Sequence, residues 1–193
     1  MEGFSIRLVG TRSVEYDVCY LAQVAGTGDT PVSYNGAFCG TRDPERGLHA
    51  MHVWIQQVPQ ITGLIYMTGK GDVSIRPSCL TGYPGEKRNV TGFQFALSPP
   101  IPDLCLEYMC HNSVVGDEPY FSEGKFQGSR DKNKQIEGFA VRLAGPRAAQ
   151  FHVCYYAHIA GRGNNEVCVD GAYCGTRSLG RAIEGIQIYL IRR

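Results

Sequence analysis

The chain alternates apolar and polar residues in short stretches, the period of a strand with one buried face. The pattern is clear in residues 4–8 and returns in residues 186–190 near the C-terminus. No window of a dozen residues carries a convincing helical apolar stripe. The nearest candidate, residues 48–58, falls where the repeat described below requires a strand. The pattern therefore predicts an all-β protein.

An internal repeat organises these strands. Residues 3–49 align without a gap on residues 138–184, and 21 of the 47 positions are identical. A weaker copy lies between them, and a shorter and more divergent copy precedes that one. We therefore predict a single all-β domain, 1–193, with four three-stranded repeats: A (approximately 3–49), B (50–91), C (92–137) and D (138–184), followed by a closing strand, 185–190.

Repeats of this size do not bury a core alone, so they are expected to pack round a shared pseudo-symmetry axis. Two arrangements stay open. Four repeats favour a four-bladed, propeller-like ring on number alone, whereas a β-prism-like arrangement ordinarily has three sheets. In either case a tyrosine recurs in every repeat, at Tyr20, Tyr66, Tyr108 and Tyr155, and such a position is expected in the core.

Composition narrows the class of protein. The 24 glycines and 10 prolines fit a turn-rich β-protein, and 43% apolar residues exclude disorder. The net charge of +1 and the 19% of charged residues give no broad basic surface, so nucleic acid is not an expected partner. No apolar run reaches the length of a membrane span, and the first residues do not resemble a signal peptide. A cytoplasmic location and leaderless export both remain open.

The order of motifs in repeat D resembles the clostridial hydrophobic repeat family, known as ChW. The resemblance rests on Tyr155-x-x-His158 followed by Gly161-x-Gly163, on the run 170–176, and on the closing strand 184–190. It extends to repeats A and C and only poorly to B. The family's signature Trp is absent, since Asp29, Asp117 and Asn164 take its place and Trp54 lies on another strand. The resemblance implies a surface or secreted repeat protein that is linked to adhesion or glycan recognition and not to catalysis.

Four of the eight cysteines repeat as pairs, Cys19 with Cys39 and Cys154 with Cys174. Both positions are lost together in the other repeats, which suggests that they touch. They form either two equivalent disulfides, which need an oxidising compartment, or buried free thiols, and we favour free thiols. No Cys-x-x-Cys or clustered Cys/His spacing indicates a metal site, and no cofactor is expected.

Repeated surface turns supply the candidate ligand-binding residues. Sugar sites combine aromatic rings with carboxylate, amide or guanidinium groups, and several weak sites on one body gain avidity. The polar residues of the repeated turns and of the runs that end in arginine are Asp29, Asn35, Arg42, His111, Arg130, His158, Asn164, Asn165, Asp170 and Arg177. A structural role is open for each of them, because Gly-x-Gly-Asp/Asn also forms ordinary turns. Repeat B is expected not to bind.

A catalytic role has little support in the sequence. The chain contains no Gly-x-Ser-x-Gly elbow, no phosphate-binding loop before a helix and no His-Glu-x-x-His motif. Cys110 and His111 are adjacent on a strand and point to opposite faces, so they do not form a dyad. We therefore predict that the protein is not an enzyme but a lectin-like protein that binds glycans or glycoproteins in adhesion or defence. The alternatives are a toxin-type or structural protein that binds a protein or membrane receptor and, third, a glycan hydrolase. A homodimer is left open.

Overall fold

A computed structural model describes residues 1–11, 13–130 and 134–193. Their regular elements are β-strands and two 3-10 helices, Ser13–Glu15 and Ala148–Gln150, which confirms the all-β prediction. Contacts divide the chain into two compact units, Met1–Val58 and Pro59–Arg193, here called the N-terminal and C-terminal units. The boundary falls inside predicted repeat B, after its opening strand. The assignment of one domain with four repeats stays a prediction.

The N-terminal unit contains repeat A and the opening strand of repeat B. Its central sheet has the order β3-β2-β4, with β6 also paired to β2, and β1 pairs separately with β5. All these pairs are antiparallel. The strands are β1 (Gly3–Phe4), β2 (Tyr16–Val24), β3 (Gly28–Asp29), β4 (Ser33–Tyr34), β5 (Cys39–Gly40) and β6 (Leu48–Gln57).

The C-terminal unit contains the rest of repeat B, repeats C and D, and the closing strand. Its strands are β7 (Gln60–Met67), β8 (Gly71–Ser74), β9 (Thr81–Gly82), β10 (Val90–Ser98), β11 (Cys105–Asn112), β12 (Gly116–Asp117), β13 (Phe121–Ser122), β14 (Gln127–Gly128), β15 (Ile136–Ala144), β16 (Phe151–Ile159), β17 (Gly163–Asn164), β18 (Cys168–Val169), β19 (Cys174–Gly175) and β20 (Ile183–Arg192).

Three antiparallel sheets of the C-terminal unit share one plan. Their strand orders are β8-β7-β10-β14, β12-β11-β15-β19 and β17-β16-β20-β9. Each sheet pairs the second strand of one repeat with the opening strand of the next, and a short third strand continues the sheet. In the last sheet the third strand is β9 of repeat B, which pairs with the closing strand β20 through Gly82 and Gly185.

Alternate residues of the long strands bury one face of each sheet. Phe93, Phe95, Phe139 and Ile186 belong to three different sheets and to a single hydrophobic cluster in which each is fully buried. The rings of Phe93 and Phe139 meet edge to face with centroids 5.7 Å apart. The three sheets therefore bury one common core. A smaller cluster in the N-terminal unit is built round Val18, Tyr20, Ala22 and Cys39.

The repeated tyrosines lie in the core in repeats A, C and D. Tyr20, Tyr108 and Tyr155 are fully buried, and their hydroxyls donate to the carbonyls of Ala37, Lys125 and Ala172, each at 2.6 Å. A buried tyrosine needs such an acceptor, and the three repeats supply the same one.

The prediction is wrong for Tyr66, which is half-buried. In the sheet register, Tyr66 lies opposite Gly92, which is the position that His111 has opposite Gly138. The position of the core tyrosine, where Tyr108 lies opposite Val141, is occupied in repeat B by Gly63, opposite Phe95. A Cβ at Gly63 would overlap the Gln94 carbonyl, so no tyrosine fits there.

Candidate functional site

An aromatic ring lies on a glycine at the start of each of three opening strands. A Cβ at Gly3, Gly92 or Gly138 would overlap the ring of Phe38, Phe126 or Tyr173, respectively. The close approach explains why these positions are glycine. An arginine four residues after the ring covers it in turn, with the guanidinium carbon 4.8 Å from the Phe38 centroid for Arg42, 4.1 Å from Phe126 for Arg130 and 3.7 Å from Tyr173 for Arg177.

The most complete cluster is built round Arg177 and is here called cluster 2. Arg177 donates from Nε and Nη2 to the two carboxylate oxygens of Asp117, at 3.2 and 3.1 Å. His111 Nδ1 lies 2.6 Å from Asp117 Oδ1. Hydrogen bonds with His111 and Arg177 hold the pKa of Asp117 below its ordinary value of 3.8. The structure thus brings together two predicted residues, His111 and Arg177, through a carboxylate that the sequence did not single out as a ligand-binding residue.

A second cluster, cluster 1, has the same plan in the neighbouring sheet. Arg130 donates to both carboxylate oxygens of Asp72, at 3.1 and 3.0 Å. Its guanidinium lies over Phe126 and 5.5 Å from the centroid of Tyr66. Asp72 and Tyr66 both belong to repeat B, so the expectation that repeat B takes no part in a binding site does not hold for this cluster. The equivalence becomes visible only in the strand register, in which Asp72 pairs with Tyr66 as Asp117 pairs with His111.

A third position keeps part of this arrangement. His158 Nδ1 lies 2.7 Å from Asn164 Oδ1, at the strand positions of His111 and Asp117. The structure therefore joins two predicted residues here. However, Leu80 and not an aromatic ring lies nearest Gly185, the glycine equivalent to Gly138. Pro84 takes the place of the arginine, because it follows Gly82 by two residues as Arg177 follows Gly175. An uncharged pair replaces the ion pair.

The N-terminal unit places its predicted residues Asp29 and Arg42 on different strand pairs. Asp29 is exposed on β3, in the sheet of β2, whereas Arg42 follows β5, which pairs with β1. The ion pairs of the C-terminal unit instead join consecutive repeats, Asp72 of B with Arg130 of C and Asp117 of C with Arg177 of D. An open cleft of about 600 Å³ lies beside Arg42, and its lining is Met1, Glu2, Gly3, Phe38, Thr41 and Arg42.

Three predicted residues support the backbone. Asn35 and Asp170 have positive φ and accept from the main-chain N–H of Val18 and Val153, at 3.0 and 2.9 Å. Asn165 accepts from the Ala157 N–H at 2.7 Å. The sequence left a structural role open for these residues, and the contacts match it: each turn side chain accepts a hydrogen bond from the main chain of the strand next to it.

Asp170 also takes part in an ion-pair network, with His152 Nδ1 and Arg193 Nη2 at 2.6 and 2.7 Å from Oδ2. Burial raises the pKa of Asp170, but hydrogen bonds from His152, the Val153 N–H and Arg193 outweigh it and lower the pKa overall.

All eight cysteines are free thiols in the structure. Cys174 belongs to the central hydrophobic cluster with Tyr155, whereas Cys154 precedes Tyr155 on β16 and faces the other side of the sheet. The joint loss of the pair in other repeats therefore does not come from a contact between these two residues. Cys174 instead donates to Asn165 Oδ1 at 3.4 Å. Its interaction with Cys168 lowers the pKa of the Cys168 thiol and raises that of Cys174.

Within residues 1–11, 13–130 and 134–193, no group of three or more His, Cys, Asp or Glu side chains has an arrangement able to hold a metal ion. The same residues include no helix long and apolar enough to cross a membrane. Comparison with protein-family models, curated proteins and solved structures gave no match. The resemblance to the ChW family therefore stays a prediction.

Proposed function

We propose that the protein binds carbohydrate, with cluster 1 and cluster 2 as its ligand sites. The observation that carries the proposal is that one arrangement of an aromatic ring, a guanidinium and a carboxylate occurs twice, at equivalent strand positions, on the surface. A single exposed Arg–Asp pair adds little to stability, typically below about 1 kcal/mol. Two copies with the same stacked geometry are better explained by a shared ligand than by stability.

The exposed atoms of the clusters suit hydroxyl groups. The ion-pair side chains are about half exposed, 50% for Arg177 and 48% for Asp117, with similar values for Arg130 and Asp72. Arg177 uses Nε and Nη2 for Asp117, so the N–H groups of Nη1 point away from Asp117, along another edge of the planar guanidinium. Vicinal hydroxyls of a sugar both donate and accept, and they match a carboxylate beside a guanidinium.

The charge of the clusters favours a neutral sugar over an anion. Each guanidinium is paired with a carboxylate at 3.0–3.2 Å, so the pair has no net charge to offer a sulfate or phosphate group. Affinity at each shallow site is expected to be weak, and two sites on one body raise the affinity for a multivalent glycan. A lectin-like role in adhesion or defence fits this design, without catalysis.

We further infer that repeats B to D form a three-sheet, prism-like arrangement rather than a four-bladed ring. The pairing of β9 with β20 supports this, because it joins the last strand of the chain to the first repeat of the C-terminal unit. The edge-to-face contact between Phe93 and Phe139, from two of the three sheets, is a second support.

The proposal is tested on a glycan array and on a surface coated with the best ligand. The variants are Asp72→Ala, Asp117→Ala and the double variant. The matched control is Glu107→Ala, because Glu107 accepts from Arg142 at 2.8 Å and that guanidinium lies 4.1 Å from the Tyr120 centroid, the same chemistry outside the repeated position.

Each single variant is expected to lower the avidity by roughly 100-fold, since one of two linked sites is lost, and the double variant to abolish binding. Glu107→Ala should bind as the wild type does. An array without signal would overturn the proposed function, and equal losses in the control and the cluster variants would overturn the placement of the sites.

A further inference from the structure

Cys168 and Cys174 lie against one side chain of repeat D, the carboxamide of Asn165. Asn165 Nδ2 donates to Cys168 Sγ at 3.5 Å, and Cys174 Sγ donates to Asn165 Oδ1 at 3.4 Å. Cys168 is half-buried and packs against the hydrophobic cluster that contains Cys174. The two sulfur atoms therefore share one polar partner and one apolar surrounding.

A tight turn of the chain brings these two cysteines together. The backbone has positive φ at Asp170 and Gly171, between β18 and β19. Beyond the turn, the carbonyl of Tyr173 accepts a hydrogen bond from Cys168 Sγ at 3.4 Å. Cys168 thus contacts the residue that directly precedes Cys174, although the two cysteines are not part of a Cys-x-x-Cys motif.

Repeat A shows that the turn itself does not require two sulfur atoms. Ser33 aligns with Cys168, and its hydroxyl donates to the carbonyl of Phe38 at 3.2 Å. The buried thiol of that repeat, Cys39, has the hydroxyl of Thr30 3.3 Å from its sulfur. A hydroxyl therefore makes the turn contact in repeat A, and the second sulfur of repeat D adds a chemistry that the turn does not need.

Its surroundings make Cys168 the reactive member of the pair. The interaction with the Cys174 thiol lowers the pKa of Cys168 to about 7, helped by the Asn165 amide and opposed by burial and the Glu166 carboxylate. About half of Cys168 is therefore thiolate near pH 7, against a few per cent for an ordinary cysteine, and the thiolate is the form that peroxides oxidise. Cys174 keeps its proton, because the contact with Cys168 and burial raise its pKa.

We infer that Cys168 and Cys174 form a redox-active pair, which a peroxide converts to a reversible disulfide. The Cys168 sulfur attacks one oxygen of hydrogen peroxide and the O–O bond breaks. The hydroxide that leaves takes up the proton released by Cys168. The Cys174 sulfur then attacks the sulfenic sulfur of Cys168, the S–O bond breaks, and the hydroxyl leaves as water with the Cys174 proton. Two thiols are oxidised and one peroxide is reduced to two waters.

The test is to treat the reduced full-length protein with a small excess of hydrogen peroxide, unfold it, alkylate the remaining thiols and map the links by peptide mass spectrometry. The wild type is expected to give a Cys168–Cys174 link that removes two hydrogens and is reversed by dithiothreitol. Six of the eight thiols should stay free. Absence of this link, or a link between Cys154 and Cys174 in its place, would overturn the inference.

Two variants separate the roles of the two thiols. Cys174→Ala removes the second sulfur without adding a polar group to the core, so the sulfenic acid on Cys168, trapped with dimedone, should rise at least roughly 10-fold over the wild type. Cys168→Ser has the side chain that repeat A uses, and it should give neither the link nor sulfenic acid at Cys174.

The matched control is Cys79→Ser, which removes an exposed thiol outside the pair and should form the link as the wild type does. Circular dichroism shows whether each variant keeps the fold. Equal dimedone trapping in Cys174→Ala and the wild type, or loss of the link in Cys79→Ser, would also overturn the inference.

Discussion

Replacing Gly138 by alanine tests the stacking of the Tyr173 ring between Gly138 and Arg177. Gly138 does not have a positive φ, so alanine is compatible with its backbone, but the added Cβ would overlap the Tyr173 ring. The ring would have to move away from the sheet. Its hydroxyl donates to the Thr176 carbonyl at 2.7 Å and its face lies 3.7 Å from the Arg177 guanidinium carbon, and both contacts would be weakened.

The magnitude follows from these contacts. Overpacking costs about 1–3 kcal/mol, the hydrogen bond contributes about 1 kcal/mol net, and an exposed cation–π contact contributes about 0.5–1 kcal/mol. Since the ring can move partway and keep part of each contact, we expect Gly138→Ala to lower the free energy of unfolding by about 2–4 kcal/mol. Urea denaturation followed by far-UV circular dichroism measures this value, with the slope m as a check on the transition.

Two controls separate the ring contact from a general effect of alanine. Gly47 has no positive φ and no atom near an added Cβ, so Gly47→Ala should change stability by less than about 0.5 kcal/mol or raise it slightly. In a Tyr173→Ala background, Gly138→Ala should cost at least about 1 kcal/mol less than in the wild type, because the overlapping ring is gone. A Gly138→Ala variant as stable as the wild type, or equal costs in both backgrounds, would refute the reasoning.

Two further predictions concern ionisation. Because the folded pKa of Asp117 lies below its ordinary 3.8, its ion pairs stabilise the protein above that value, and this contribution is lost as the pH falls through the folded pKa. Sugar binding measured against pH should therefore persist at pH about 5 and fall only in stronger acid, whereas loss near neutrality would contradict this role. Among the thiols, Cys168 and Cys79 should be alkylated first by iodoacetamide in the native protein and Cys110 and Cys174 only after unfolding, since the latter two are buried. Peptide mass spectrometry reads this order, and a Cys154–Cys174 disulfide in non-reduced protein would contradict it.

The sequence predicted the strands well because the apolar alternation and the repeat act locally. The equivalence of His111 and His158 followed from alignment alone, and the strand register bears it out. Tyr66 was misassigned because a gapless sequence motif does not show which residue lies opposite which. Gly63 fills the core position in repeat B, and only the pairing with Phe95 reveals the shift.

The candidate sites were predicted in part. The arginines after each Gly-rich run were found, because two glycines and the arginine keep the same spacing in repeats A, C and D. Asp72 and Asp117 were not proposed as ligand residues, since they meet Arg130 and Arg177 from 58 and 60 residues away in sequence. Asn35, Asp170 and Asn165 have the composition of sugar-binding residues, yet their oxygens accept main-chain hydrogen bonds. Side-chain type alone does not separate a ligand contact from a turn contact.

The stoichiometry of sugar binding tests the central claim most directly. Isothermal titration of the wild type with the monovalent form of the best array ligand should give two sites per chain, one at Arg130 and one at Arg177. Asp117→Ala should give one site with unchanged affinity, and the Asp72→Ala/Asp117→Ala double variant should give none. Two sites in the double variant, or no heat of binding with any sugar in the wild type, would contradict the account.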